Sequence, residues 1–118
     1  MPDPAPDPSG ALAAHVVNTR YEDIPAESRA ATARDLMDTF GCALGGSGAP
    51  GIAELLKLLR HWGGKEEPGL LLEAGRLPVH HAAMIHAAMA HALDYDDTLD
   101  EGGSIHPGAS VLGALLAM

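Results

Sequence analysis

"HHAAMIHAAMAHALDYDDTLDEGGSIHPGASVLGALLAM" runs from His80 to Met118 and reads as helix, acidic connection, helix. Both flanks are rich in Ala, Leu and Met, which are strong helix formers, and β-branched residues are few. Pro78 and Pro107 stand where the first turn of a helix accepts a proline. The pattern predicts a helix from Pro78 to about Leu93, a loop rich in Asp, and a final helix from Pro107.

Working back along the chain, Ile52 to Trp62 reads as an amphipathic helix, with Leu55, Leu56, Leu58 and Leu59 inward and Lys57 and Arg60 outward. Between it and Pro78, "GGKEEPG" is a break, and Leu70 to Leu77 reads as a short hairpin or extended piece. "YEDIPAES" opens a longer helix, with Pro25 near its first turn and Glu27 close to the positive end of the dipole. Ala30, Ala33, Leu36, Met37, Phe40, Ala43 and Leu44 form one expected buried face, and Gly45 to Gly51 end the helix. A short helix is expected over Ala11 to Asn18, after a Pro-rich tail, residues 1–10, read as disordered.

The 118 residues suffice for one domain with a modest core. Apolar residues make up 47% and aromatics only 3%, which favours an all-α fold over a sandwich or barrel. The formal net charge of -9, with no basic stripe, argues against nucleic acid and against an anionic membrane surface. The lone Cys42 excludes an internal disulfide and suits a reducing compartment. With no secretory signal and no apolar run long enough to span a bilayer, a cytoplasmic protein is expected. The apolar ending at Met118 points to the front of a larger protein.

The acidic connection invites three chemistries. Asp94, Asp96 and Thr98 match the first, third and fifth positions of a calcium loop, but Leu99 and Ile105 replace the required Gly and Glu. His91, Asp94 and His106 could assemble a zinc site, yet no HExxH and no Cys pair accompanies them. The missing ligand pattern weighs against a metal. His80, His81 and His86 read as surface or packing histidines, and His91 as an orienting partner for Asp94 three residues on.

Acid–base chemistry fits better. Asp94 falls at the C-terminal end of the His-rich helix, where the dipole favours its protonated form unless a donor compensates. His106, before Pro107, falls at the positive end of the last helix, a ready anion site. Thr98 adds a hydroxyl between them. Asp100 and Glu101, and by preference Asp96, read as solvating groups. After Arg76 the chain contains no Lys or Arg, so cations for an anionic substrate must come from elsewhere.

Three stretches carry a resemblance: "YEDIPAESRAATARDLMDTFGCALGGSGAP" (21–50), "AAMIHAAMAHALDYDDT" (82–98) and "IHPGASVLGALLA" (105–117). Together they resemble the opening of the MmgE/PrpD family, which includes 2-methylcitrate dehydratase and cis-aconitate decarboxylase. The resemblance covers about residues 11 to 118 and implies the N-terminal segment of a helical domain, in a chain several times longer. It implies a lyase acting on a small di- or tricarboxylate, with Asp94, Thr98 and His106 catalytic and a homodimer as the assembly. It implies no metal and no cofactor. His91 and Asp97 are expected at the substrate. The family's Lys and a further His have no counterpart here. A non-enzymatic helical interaction module and a His/Asp metal-binding module are the alternatives.

Overall fold

The computed structural model describes residues 7–67, 69–100 and 105–118. It is all-α: α1 (Pro8–Asn18), a 3₁₀ turn (Tyr21–Asp23), α2 (Ala26–Gly46), α3 (Ile52–Trp62), α4 (Val79–His91) and α5 (Pro107–Leu116). Among the described residues, β pairing is limited to two isolated antiparallel bridges, Gly69 with Arg76 and Leu99 with Ile105. The expected hairpin at Leu70 to Leu77 reduces to the first of these. Contacts divide the chain into a unit ending at Thr32 and one from Ala33 to Met118.

In the first unit, α1 begins at Pro8, three residues ahead of expectation, because Asp7 caps it. Its carboxylate accepts from Ser9 N at 3.0 Å and Gly10 N at 3.2 Å. That satisfies two of the amide donors a helix start leaves open. The rest of the expected disordered tail, residues 1–6, lies outside the described residues. Arg29 ties the 3₁₀ turn to α2. Its guanidinium donates to the carbonyls of Tyr21 and Ile24 at 3.1 and 2.6 Å and lies over the Tyr21 ring, 5.0 Å from its centroid.

In the second unit, α2 buries Thr39, Ala43 and Gly46, not the larger residues expected. Met37, Phe40 and Leu44 are 73%, 36% and 38% exposed. The cause is Gly46. A Cβ there would collide with the Met89 carbonyl and lie 3.3 Å from Ala92 Cβ, so the backbones meet along α2's small-residue edge. On α3 the buried stripe is Ile52, Leu56 and Leu59, while Leu58, expected inward, is 42% exposed. Residues two apart point about 200° away from each other, so Leu56 and Leu58 cannot both face the core. Ile85, Met89 and Ala90 of α4 and Ala109 and Ala117 complete that core with Leu77.

The α4 and α5 helices pack closely because both are lined with small residues. A Cβ at Gly113 would lie 2.8 Å from the Ala83 carbonyl and 2.8 and 2.9 Å from Ala87 Cβ and N. This helix pair sets the distance between the two ends that carry the acidic loop.

His81 and His86 are packing histidines. His81 is 8% exposed, with its ring 5.8 Å from Trp62. His86 is 2% exposed, and its Nε2 accepts from Leu71 N at 3.0 Å. That bond fixes the neutral ring with its hydrogen on Nδ1. Burial lowers the pKa of His86 below its ordinary 6.5. Below that value the unfolded chain binds a proton the folded one resists, so stability falls as pH drops through about 6.5 and is retained above it. The thermal midpoint of His86→Gln is expected to vary less between neutral pH and pH 5 than that of the unsubstituted chain. Equal pH slopes would refute this.

A histidine–aspartate cluster at the α4–α5 turn

α4 stops at His91, not near Leu93, because Asp94 adopts a left-handed backbone (φ 51°) and donates its N–H to the His91 carbonyl at 3.0 Å. Asp and Asn tolerate that conformation better than most residues. The chain then turns back. Leu99 and Ile105 exchange backbone hydrogen bonds at 2.9 and 3.3 Å and close the neck of the loop. Residues 101–104, and with them the expected solvating Glu101, lie outside the described residues.

The N-terminus of α5 already holds an anion, and it belongs to the chain. Both Asp97 carboxylate oxygens accept from Gly108 N, at 2.9 and 3.1 Å. The contact satisfies an open amide and places negative charge at the positive helix end. It depends on glycine, since a Cβ at Gly108 would run into the Asp97 carboxylate and lie 2.7 Å from Thr39 Oγ1. The helix end expected to receive a substrate carboxylate therefore receives Asp97, which was expected at the substrate.

His106 is the N-cap residue of α5 and makes no capping bond with its side chain. Its ring packs on His91, with centroids 4.7 Å apart and planes at 54°. On one side, His106 Nε2 lies 3.7 Å from Asp94 Oδ1. On the other, His106 Nδ1 lies 3.6 Å from Asp96 Oδ1. His91 Nδ1 is 3.0 and 3.2 Å from the two oxygens of Asp96, not of Asp94 as expected. The two carboxylates differ sharply in setting. The Asp94 side chain is 80% exposed, and that of Asp96 is fully buried.

Asp96, which reads by preference as a solvating group, is instead the buried centre of the cluster. No helical spacing links it to His91, because the helix ends between them. The left-handed turn at Asp94, which only the structure reveals, folds it back.

Thr98 is exposed beside the loop neck and makes no side-chain hydrogen bond with a described residue. Asp35 has its pKa raised, by burial and then by the charges of Asp97 and Asp38. Cys42 is raised too, by burial first and then by Asp38, Asp96 and Asp97, and its thiol donates to the Tyr95 carbonyl at 3.5 Å. It is held as a thiol and is a poor nucleophile. A cavity of about 470 Å³ lies elsewhere, between α3, α4 and Leu70 to Glu73, and none of the acidic-loop residues lines it.

One donor atom from each of His91, Asp94, Asp96 and His106 falls within 4.8 Å of the others. Four such groups can share protons or, if they contract, surround a divalent ion.

An all-helical domain whose α4–α5 turn gathers two imidazoles and two carboxylates is the class defined by fold and site. The family model described as the MmgE/PrpD N-terminal domain matches residues 10–118, and the chain belongs to the MmgE/PrpD family. Among curated proteins and solved structures, nothing matches. No described helix is long and apolar enough to cross a membrane.

Proposed function

We propose that this domain supplies the acid–base half of a lyase site acting on a small di- or tricarboxylate. The observation that carries the reading is the approach of His106 Nε2 to the exposed Asp94 carboxylate, at 3.7 Å, at the mouth of the cluster. Membership of the MmgE/PrpD family supports it. In a dehydration one of the pair removes a proton from carbon next to a substrate carboxylate, and the other gives a proton to the departing hydroxyl, which leaves as water. In a decarboxylation no C–H bond breaks: the C–C electron pair remains on carbon as CO₂ departs, and one protonated member of the pair donates the proton that quenches it. A positioned acid or base contributes roughly 10²–10⁴ in rate. Thr98, exposed in the same loop, is assigned the hydroxyl that holds a substrate oxygen, as the resemblance implies.

Such a substrate needs cations, and the cluster has none from its own stretch of chain, since no Lys or Arg follows Arg76. The cationic half is assigned to residues outside these 118, in a homodimer of the kind the resemblance implies. The test is turnover of 2-methylcitrate and cis-aconitate, followed by proton NMR. The 118-residue chain alone is expected to be inactive, and clear turnover by it would overturn the division of the site.

The convergence of four donor atoms favours a second reading, a divalent-metal site. A ligand that binds only the folded state raises the unfolding midpoint with its concentration. On the acid–base reading, zinc, nickel and calcium leave the midpoint unchanged. A zinc-dependent rise lost in His106→Ala would establish the metal site instead.

A further inference from the structure

We infer that Asp96 is a positioning residue that fixes the tautomer of His106, holding its hydrogen on Nδ1 so that Nε2 faces Asp94 as the reactive nitrogen. The inference rests on the acid–base reading for its use but not for its geometry.

The Asp96 side chain is fully buried, and a buried carboxylate must be met by donors. His91 provides one, with Nδ1 at 3.0 Å from Oδ1. His106 Nδ1 lies next nearest, 3.6 Å from the same oxygen and beyond hydrogen-bond length. That ring nitrogen is shut off from solvent and has no hydrogen bond to any described residue. An orphaned buried nitrogen beside a buried carboxylate is explained simply if the nitrogen carries the hydrogen. A carboxylate oxygen has two lone pairs and can accept from both rings. The His91 and His106 rings pack against each other with centroids 4.7 Å apart and planes at 54°, and the Nδ1 atom of each faces Asp96.

The consequence for His106 follows from imidazole chemistry. A neutral ring has one N–H, so hydrogen on Nδ1 leaves a lone pair on Nε2. Nε2 is the nitrogen on the Asp94 side, and the Asp94 side chain is 80% exposed. The opposite tautomer would aim a lone pair at the buried carboxylate and an N–H at the substrate side. His106 could then not act as a base. A buried Asp orienting a His in this way recurs in hydrolytic triads, where Asn in its place preserves the geometry but selects the wrong tautomer.

The experiment needs no substrate. The chain, labelled with ¹⁵N in its histidines, is examined by long-range proton–nitrogen NMR at a pH where His106 is neutral. The expected result is His106 as the Nδ1–H tautomer, changing largely to Nε2–H in Asp96→Asn, whose amide donates where the carboxylate accepted. An Nε2–H tautomer in the unsubstituted chain would overturn the inference, as would an unchanged tautomer in a folded Asp96→Asn. If Asp96→Asn fails to fold by circular dichroism, the spectrum of the unsubstituted chain still decides. In a catalytically active assembly, Asp96→Asn is expected to lower kcat about a hundredfold with little change in KM. Absence of any carboxylate turnover would sink the acid–base reading and leave the tautomer result standing, and the reverse failure is equally distinguishable.

Discussion

Gly113→Ala is expected to cost about 2–3 kcal/mol of stability, the upper part of the range for overpacking a close contact. The reason is the nature of the neighbours. Two of the three atoms the new Cβ would meet, at 2.8 and 2.9 Å, are backbone atoms of α4 and cannot rotate away. Relief requires α5 to slide or lift from α4. Gly46→Ala should cost at least as much, because its Cβ would collide with the Met89 carbonyl. The control is Gly41→Ala, also within α2, where nothing lies within 4 Å of the added carbon. Helix propensity makes that change neutral or stabilising by up to about 1 kcal/mol. Urea unfolding followed by circular dichroism measures all three. Equal midpoints for Gly113→Ala and Gly41→Ala would mean that α4 and α5 do not pack as described. Domains of ordinary stability hold only about 5–15 kcal/mol, so these are large effects. They also bear on function, since the α4–α5 spacing brings His91 to His106.

The second large effect is on catalysis. In an active assembly containing this domain, His106→Ala and Asp94→Asn are each expected to lower kcat/KM by roughly 10²–10⁴, the usual contribution of a positioned acid or base. The two losses should be far from additive, because groups that act as one unit fail together. Asp100→Asn is the contrast, expected to leave turnover within a factor of two. An Asp94→Asn enzyme with undiminished kcat/KM would remove Asp94 from the proton path.

Much of this was legible in the sequence because it depends on local rules. Composition and prolines located the helices, and Pro107 marked the start of α5 to the residue. Helix-end electrostatics single out Asp94, Thr98 and His106, and the structure brings Asp94 and His106 to 3.7 Å of each other while Thr98 makes no side-chain hydrogen bond with a described residue. What failed depends on tertiary geometry. Large apolar residues on α2 were expected inward, but a glycine-mediated approach made the small-residue edge the buried one. Asp96 reads by preference as a solvating group and Asp97 as a substrate contact. The turn at Asp94 buries one between two imidazoles and uses the other to cap α5. Helical periodicity cannot report on residues past the end of the helix, and both aspartates lie there.

The most direct test joins the 118 residues to the cation-bearing remainder of an MmgE/PrpD enzyme and compares that fusion with the chain alone. Each is incubated with 2-methylcitrate and cis-aconitate in deuterated buffer and followed by proton NMR. The expected result is no turnover by the chain alone, and turnover by the fusion that falls at least a hundredfold with His106→Ala. Turnover by the chain alone, or a fusion indifferent to the loss of His106, would contradict the assignment of this domain as the acid–base half of a carboxylate lyase.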